Sequence, residues 1–152
     1  MFERILVPLD GSPLAEEVLP YAKEMGRRFD AEVILLQVVS TVPPLWAIEA
    51  APGVAPGPDV LARQMQLEAH AAEEYLRRMA TVWDVPGARV RWEVKHGVPA
   101  DEIVRYAQEH AVSLIAMSTH GRTGLARLVL GSVADQVLRQ AGVPVLLIRP
   151  KF

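Results

Sequence analysis

Short apolar runs alternate along the chain with longer segments of helical periodicity. Strands are predicted at residues 5–9, 32–39 and 114–117, because each is an aliphatic run of the length typical of a strand buried on both faces. Residues 89–95 alternate polar and apolar side chains, which predicts a strand with one wetter face, at an edge of the sheet. The run Val145–Ile148 predicts a fifth strand.

The segments between the strands carry apolar residues three and four positions apart, the spacing of an amphipathic helix. The first helix is predicted to begin at Ser12 as its N-cap and to reach about Arg28, with a kink at Pro20. A long helix is predicted from Asp59, as its N-cap, to about Trp83. Two shorter helices complete the set, at residues 99–110 and 132–141.

This alternation of strands and helices indicates an α/β fold. Right-handed crossovers between parallel strands place helices on both faces of a sheet, so we expect a five-stranded, doubly wound parallel sheet. A chain of 152 residues suits one core, and no internal repeat is visible. Residues 1–152 are therefore predicted to form a single domain.

Composition and charge narrow the classes of function. The chain has no cysteine, which excludes a disulfide framework, a thiolate metal site and a cysteine nucleophile. The net charge is −2 with mixed signs, which argues against a nucleic-acid partner. Apolar runs fall far below the roughly 20 residues of a membrane-spanning helix, and residues 1–4 do not resemble a secretory signal. We expect a cytoplasmic protein, with its mature chain beginning here and no membrane contact.

Several known site patterns are missing from the sequence. Neither a G-x-G-x-x-G after the first strand nor a P-loop is present, which argues against a dehydrogenase and a P-loop enzyme. A receiver domain needs an acidic cluster after its third strand, where this chain has Lys95, His96 and Gly97. No G-x-S-x-G nucleophile elbow supports acyl-transfer chemistry.

Three segments follow the ends of predicted strands, where open parallel sheets bind their ligands. They are residues 8–12, 38–40 and 118–121. The third continues as a glycine-punctuated loop to Gly131, where the last helix begins; glycines allow close backbone approach, and helix N-termini favour anions. This pattern is typical of a phosphate cradle, and equally of an ordinary glycine-rich loop before a capped helix.

Side chains in this loop also suit an anion. Arg122 and Arg127 supply positive charge near the start of the last helix. The hydroxyl of Ser132 can either cap that helix or donate to a phosphate.

These residues resemble the nucleotide motif of the universal stress protein family. In the family pattern a glycine, two residues, a second glycine and nine residues precede a glycine with serine or threonine. Gly121, Gly131 and Ser132 match at that spacing, whereas Ser118 stands in place of the first glycine. The ends of the chain resemble the family as well, over residues 4–12 and 143–149.

The resemblance implies strand order 3-2-1-4-5 and a bound adenine nucleotide, ATP, with Mg²⁺ or Mn²⁺ bridging its phosphates. Asp10 would face the ribose side, and the backbone of Val38 would read the adenine edge. No residue is predicted to bind a metal directly. The other predicted nucleotide-binding residues are Pro8, Leu9, Met117, Ser118, His120, Gly121, Arg122, Gly124, Gly131, Ser132 and Val133.

The family resemblance also implies a homodimer. If Val145–Ile148 is the last strand at a sheet edge, its apolar run needs a cover, and pairing with a second copy provides one. We therefore expect an ATP-binding regulator of the stress response that acts as a dimer. Two alternatives stay open: a dimeric interaction module that binds no nucleotide, and a slow ATP hydrolase with His120 as its candidate base. The sequence does not rank ATP above AMP or a cyclic nucleotide.

Simpler explanations exist for some of these residues. Asp10 can stabilise the turn before Ser12, and His120 can be a plain loop residue. Trp46 either covers the nucleotide or fills a local apolar cluster. Three histidines have no partner at metal-ligand spacing and are expected to be solvated or to cap helices: His70, His96 and His110.

Overall fold

The chain forms a parallel five-stranded sheet between two layers of helices. A computed structural model describes residues 1–43, 48–54, 56–83, 87–120 and 130–151. The strands are β1 (Arg4–Leu9), β2 (Glu32–Ser40), β3 (Arg89–Gly97), β4 (Leu114–Ser118) and β5 (Val145–Ile148). Their order in the sheet is β3-β2-β1-β4-β5, which confirms the predicted doubly wound α/β fold. The helices in these ranges are α1 (Pro13–Glu16), α2 (Leu19–Phe29), α3 (Pro58–Thr81), α4 (Pro99–Glu109) and α5 (Ser132–Gln140).

The hydrophobic core lies on both faces of this sheet, because successive strand residues point to opposite sides. Val7 and Leu35 are fully buried on the face covered by α1, α2 and α3. Leu6 and Ile115 are fully buried on the other face, which α4 and α5 cover. The near-continuous apolar runs of β1, β2 and β4 follow from this burial on both sides.

Strand β3 is the edge next to β2, as its alternating pattern predicts. Its residues are half-buried or exposed throughout, in contrast with the buried interior of β2. Glu93 accepts a hydrogen bond from the Tyr106 hydroxyl at 2.7 Å. Charged side chains on this strand leave the edge polar, which discourages pairing with another chain.

The first helix is broken rather than kinked. The prediction of one helix from Pro13 to about Arg28 was wrong, because α1 ends at Glu16 and α2 begins at Leu19. Pro20 lies in the first turn of α2, where its missing N–H does no harm. A continuous helix would require an N–H from Pro20 to the Glu16 carbonyl, so the chain starts a new helix instead.

The start of α3 corrects a second prediction. Gly57 holds the N-cap position and Pro58 is the first helical residue, whereas Asp59 was predicted as the cap. Asp59 lies in the first turn, where its negative charge still favours the positive end of the helix dipole. Within the described ranges, no helix combines the length and the apolar character that crossing a bilayer requires.

Candidate functional site

A cavity of about 570 Å³ opens at the carboxyl edge of the sheet. Strands β1 and β4 are paired only at Ile5 with Leu114 and at Leu6 with Ile115, so the later residues of both strands are not paired with each other. The strand order reverses between these two strands. Doubly wound sheets bind their ligands at this point, beyond the carboxyl ends of the strands.

The cavity brings together the predicted nucleotide-binding residues that the structure describes. These are Pro8, Leu9, Asp10, Val38, Met117, Ser118, His120, Gly131, Ser132 and Val133. Gly121, Arg122 and Gly124, also predicted, lie outside the described residues, as do Arg127 and Trp46. Segments that are more than a hundred residues apart in sequence therefore meet around one space.

Asp10 and Ser12 form a hydrogen-bonded turn at the end of β1. The Asp10 Oδ1 atom accepts from the Ser12 backbone N–H at 2.9 Å and from the Ser12 hydroxyl at 2.6 Å. Ser12 in turn caps α1, since its hydroxyl oxygen accepts from the Ala15 N–H at 3.2 Å. Asp10 thus stabilises the turn and also lines the cavity.

Gly131 joins the end of β4 to the start of α5. Its N–H donates to the Thr119 carbonyl at 2.9 Å. A Cβ atom at Gly131 would lie 2.5 Å from that carbonyl oxygen, closer than any side chain tolerates. Its φ of −59° is accessible to any residue. Close backbone approach, rather than backbone conformation, is therefore what requires glycine here.

The N-terminus of α5 faces the cavity without a side-chain cap. Gly131 holds the N-cap position and Ser132 is the first helical residue, so the alternative that Ser132 caps the helix was wrong. The Ser132 side chain is exposed, and Ser132 and Val133 both line the cavity. The first N–H groups of a helix have no partner inside the helix, and the helix dipole adds about half a positive charge. This end of the cavity favours an anion.

Strand β2 presents an open backbone edge to the same cavity. The last residue of β2 that pairs with β1 is Gln37, opposite Leu9. Val38 and Ser40 lie beyond it and pair only with β3. Because β1 has ended, the backbone edge of β2 on that side is open to a ligand in the cavity.

The short turn at the end of β4 places a histidine in the wall of the cavity. His120 is buried, and its Nδ1 atom lies 2.9 Å from the Thr119 hydroxyl oxygen. Its backbone N–H makes a long, 3.4 Å hydrogen bond to the hydroxyl of Ser118, which is also buried.

Helix α3 supplies cavity residues that sequence reasoning missed. Tyr75 is buried, and its hydroxyl donates to the Glu16 carboxylate at 2.9 Å. Burial, and then the hydrogen bond to the Glu16 carboxylate, raise the pKa of Tyr75 far above its usual range, so the phenol stays protonated. Glu68 and Arg78 of the same helix also line the cavity. The helical spacing predicts α3 itself, but not which strand ends it covers.

Gln37 of β2 is another cavity residue that sequence reasoning missed, and the sequence marks it more clearly than it marks Tyr75. Gln37 is buried in the cavity wall and is the one polar residue in the otherwise apolar run of residues 33–39. A polar residue inside a strand that is predicted to be buried on both faces marks a position that needs a partner.

The other histidines do not line the cavity. His70 forms an ion-pair contact with Glu74 at 3.2 Å on the surface of α3, and His110 is the C-cap residue of α4. His96 is exposed. In the described part of the chain, no three His, Asp or Glu side chains cluster closely enough to hold a metal ion.

Fold and cavity together define an α/β protein with a candidate ligand site at the reversal of strand order. The model of the Universal stress protein family matches residues 1–149 of this chain. Universal stress protein MJ0531 of Methanocaldococcus jannaschii is 34% identical over 149 residues, which is 98% of this chain and 83% of that protein. The chain belongs to the universal stress protein family, and the family resemblance is confirmed.

Solved structures share the same fold. The universal stress protein UspA from Lactobacillus plantarum has a TM-score of 0.83 at 25% identity, over 97% of this chain and 98% of that one. A universal stress protein family protein from Arabidopsis thaliana, solved with AMP bound, has a TM-score of 0.63 at 17% identity, over 98% and 92% of the two chains. At 17% identity, the similarity to the Arabidopsis protein shows a shared fold alone.

Proposed function

We propose that this protein binds an adenine nucleotide, ATP, in the cavity at the carboxyl edge of the sheet and acts in the cytoplasm as a homodimeric regulator of the stress response. One observation carries the proposal. The turn at Asp10, the open edge of β2 at Val38 and the N-terminus of α5 at Ser132 converge on a single cavity. Each of the three suits a different part of a nucleotide.

The N-terminus of α5 suits the phosphates. Its first N–H groups, at Ser132 and Val133, lack partners inside the helix and lie at the positive end of the helix dipole. No side-chain cap competes for them, and the exposed Ser132 hydroxyl adds a donor. Phosphate groups bind at helix N-termini for these reasons.

The opposite side of the cavity suits the nucleoside. The open backbone edge at Val38 offers both donors and acceptors to the edge of a base, while apolar side chains such as Leu36 and Met117 line the space beside it. Asp10 lies between the two regions in the fold and supplies an acceptor for ribose hydroxyls. The AMP-bound Arabidopsis protein supports the proposal, because its fold is the same and it holds an adenine nucleotide.

A divalent cation, Mg²⁺ or Mn²⁺, fits this site only when a nucleotide is bound as well. The described residues include no cluster of three acidic or histidine side chains that would hold a bare metal ion. Mg²⁺ commonly binds through substrate phosphates together with one or two carboxylates, and Asp10 and Glu68 are carboxylates of the cavity wall. When bound, the cation would neutralise part of the phosphate charge.

Calorimetric titration with ATP and Mg²⁺, and separately with AMP and cyclic AMP, tests the proposal. Ser132→Asp places a negative charge where the phosphates are proposed to lie, whereas Ser132→Ala removes the hydroxyl without adding charge. We expect Ser132→Asp to reduce ATP affinity by about tenfold or more, and Ser132→Ala by much less, because like charges repel and a single neutral hydrogen bond contributes little. Equal affinities in all three proteins, or no binding by the unmodified protein at millimolar ATP, would refute the site.

The proposed dimer uses β5, the edge strand beside β4. All four of its residues, including Leu147, are apolar and only half-buried in the single chain. Pairing of this edge with a second copy would cover them. Sedimentation of Leu147→Arg should show monomer or aggregate, while Leu138→Arg, at an exposed position of α5, should remain dimeric. A dimer that survives Leu147→Arg would exclude this interface.

A further inference from the structure

Gln37 is a polar side chain buried in the wall of the cavity. Only 7% of its surface is exposed, although it lies in a strand of otherwise apolar interior residues. Among the described residues its Oε1 atom is buried and has no hydrogen-bond partner. A buried acceptor without a donor destabilises the folded protein, so a glutamine at this position requires an explanation.

The sheet itself does not supply the missing donor. Gln37 pairs in register with Leu9 of β1 on one side and with Val94 of β3 on the other. Paired residues of parallel strands point to the same face, and both of these neighbours pack in the apolar cluster of that face. The carbonyl oxygen of Gln37 is therefore flanked by hydrocarbon on both sides.

Helix α3, which covers this face, leaves the oxygen unsatisfied as well. Its two residues that are buried beside the cavity are Ala72 and Tyr75. Ala72 has no polar side-chain atom, and the Tyr75 hydroxyl donates to Glu16. Arg78 of α3 also lines the cavity, yet no described residue donates to the Gln37 Oε1 atom, so a molecule that occupies the cavity can supply the missing donor.

Adenine carries such a donor. Its 6-amino group lies beside ring nitrogens that accept hydrogen bonds, and a glutamine carboxamide matches this pair of groups with its carbonyl and its amino group. Gln37 directly precedes Val38, whose backbone is proposed to read the edge of the base. We propose that Gln37 accepts a hydrogen bond from the 6-amino group of the bound adenine and so selects adenine over purines that lack this group. This inference rests on the proposed nucleotide site.

A cycle of two proteins and two ligands tests the contact. Gln37→Met keeps a side chain of similar length without hydrogen-bonding groups. ATP and purine riboside 5′-triphosphate differ only in the 6-amino group. We expect the unmodified protein to bind ATP about 5- to 100-fold more tightly than the analogue, and Gln37→Met to bind the two with similar affinity. Gln108→Met, at an exposed position of α4 outside the cavity, should keep the full preference.

The comparison in the unmodified protein needs no variant and can refute the contact by itself, while the variant assigns it to Gln37. If that protein binds ATP and the analogue with equal affinity, the proposed contact does not exist, although the nucleotide site remains. If it binds neither ligand, the nucleotide site itself is absent. A preference for ATP that persists in Gln37→Met would assign the 6-amino group to another residue and overturn the proposal.

Thermal unfolding without nucleotide provides a second readout. Gln37→Met removes a buried acceptor that lacks a donor, so we expect the variant to melt at a higher temperature than the unmodified protein. If Gln37 instead stabilised the fold, Gln37→Met would melt at a lower temperature than the unmodified protein. A lower melting temperature would therefore contradict the assignment of Gln37 as a ligand-binding residue.

Discussion

Replacement of Gly131 by alanine should disturb the site through a single backbone contact. The new Cβ atom would lie 2.5 Å from the Thr119 carbonyl oxygen, whereas ordinary contacts of a Cβ begin near 3.4 Å. The two backbone segments must then separate by about 0.9 Å, which breaks or weakens the 2.9 Å hydrogen bond from the Gly131 N–H to Thr119. Because Gly131 is the N-cap residue of α5, the start of this helix moves with Gly131.

The magnitude follows from the cost of forcing extra atoms into a packed region, about 1–3 kcal/mol. For a chain of this size, 1 kcal/mol lowers the melting temperature by about 2–4 °C. Gly131→Ala should therefore melt about 2–12 °C below its control. A displacement of about 0.9 Å also exceeds the tolerance of a hydrogen bond from the α5 amides to a phosphate, so ATP affinity should fall by about 10- to 100-fold.

Gly57→Ala is the matched control. Gly57 is also an N-cap glycine with extended backbone, at φ −69° and ψ 169° against −59° and 151° for Gly131, and neither helix has a side-chain cap. A Cβ atom at Gly57 meets nothing within 4 Å. Both substitutions change the N-cap preference and the entropy of the unfolded chain alike, so their difference isolates the clash. Circular dichroism melts and calorimetry give the two quantities. If the variants melt within one degree and bind ATP alike, the Thr119 contact does not constrain the site.

Two further predictions concern the residues around the cavity. Ser12→Ala removes the cap of α1 and a donor to Asp10, so the free energy of unfolding should fall by about 1 kcal/mol in urea titration; an unchanged value would show that the turn forms without these bonds. The raised pKa of Tyr75 keeps its phenol protonated in the folded state. The contribution of this group to the free energy of unfolding is therefore fully present below the unfolded pKa of about 10, and it declines as the pH rises above that value. Tyr75→Phe should make this decline shallower between about pH 10 and 11, and an identical slope in urea titrations would contradict the cause assigned to the shift.

Local patterns in the sequence predict the sheet and most of its connections. The runs that become β1, β2 and β4 are apolar because both faces are covered, and the alternation in β3 reflects its place at the edge. Helix boundaries were less accurate where proline decides the start. Pro20 and Pro58 both lie in first turns, so α2 and α3 begin at positions that apolar spacing alone does not indicate.

The candidate site was only partly predictable, for a physical reason. Residues at strand ends, such as Asp10 and Ser118, are predictable because parallel strands end at one edge. The contribution of α3 depends on how a long helix crosses the sheet, and no local pattern encodes that crossing. Tyr75 and Arg78 therefore emerge only from the structure.

Asp10 shows that a structural and a ligand-binding role need not exclude each other. The Asp10 Oδ1 atom accepts two hydrogen bonds from Ser12, which fixes the carboxylate at the end of β1 while the residue lines the cavity. A carboxylate held in this way loses little further freedom when a ligand binds, so its contact with a ribose hydroxyl costs less entropy than that of a mobile side chain. The same bonds that stabilise the turn would thus strengthen nucleotide binding, and Ser12→Ala should weaken ATP binding even though Ser12 is not proposed to contact the nucleotide.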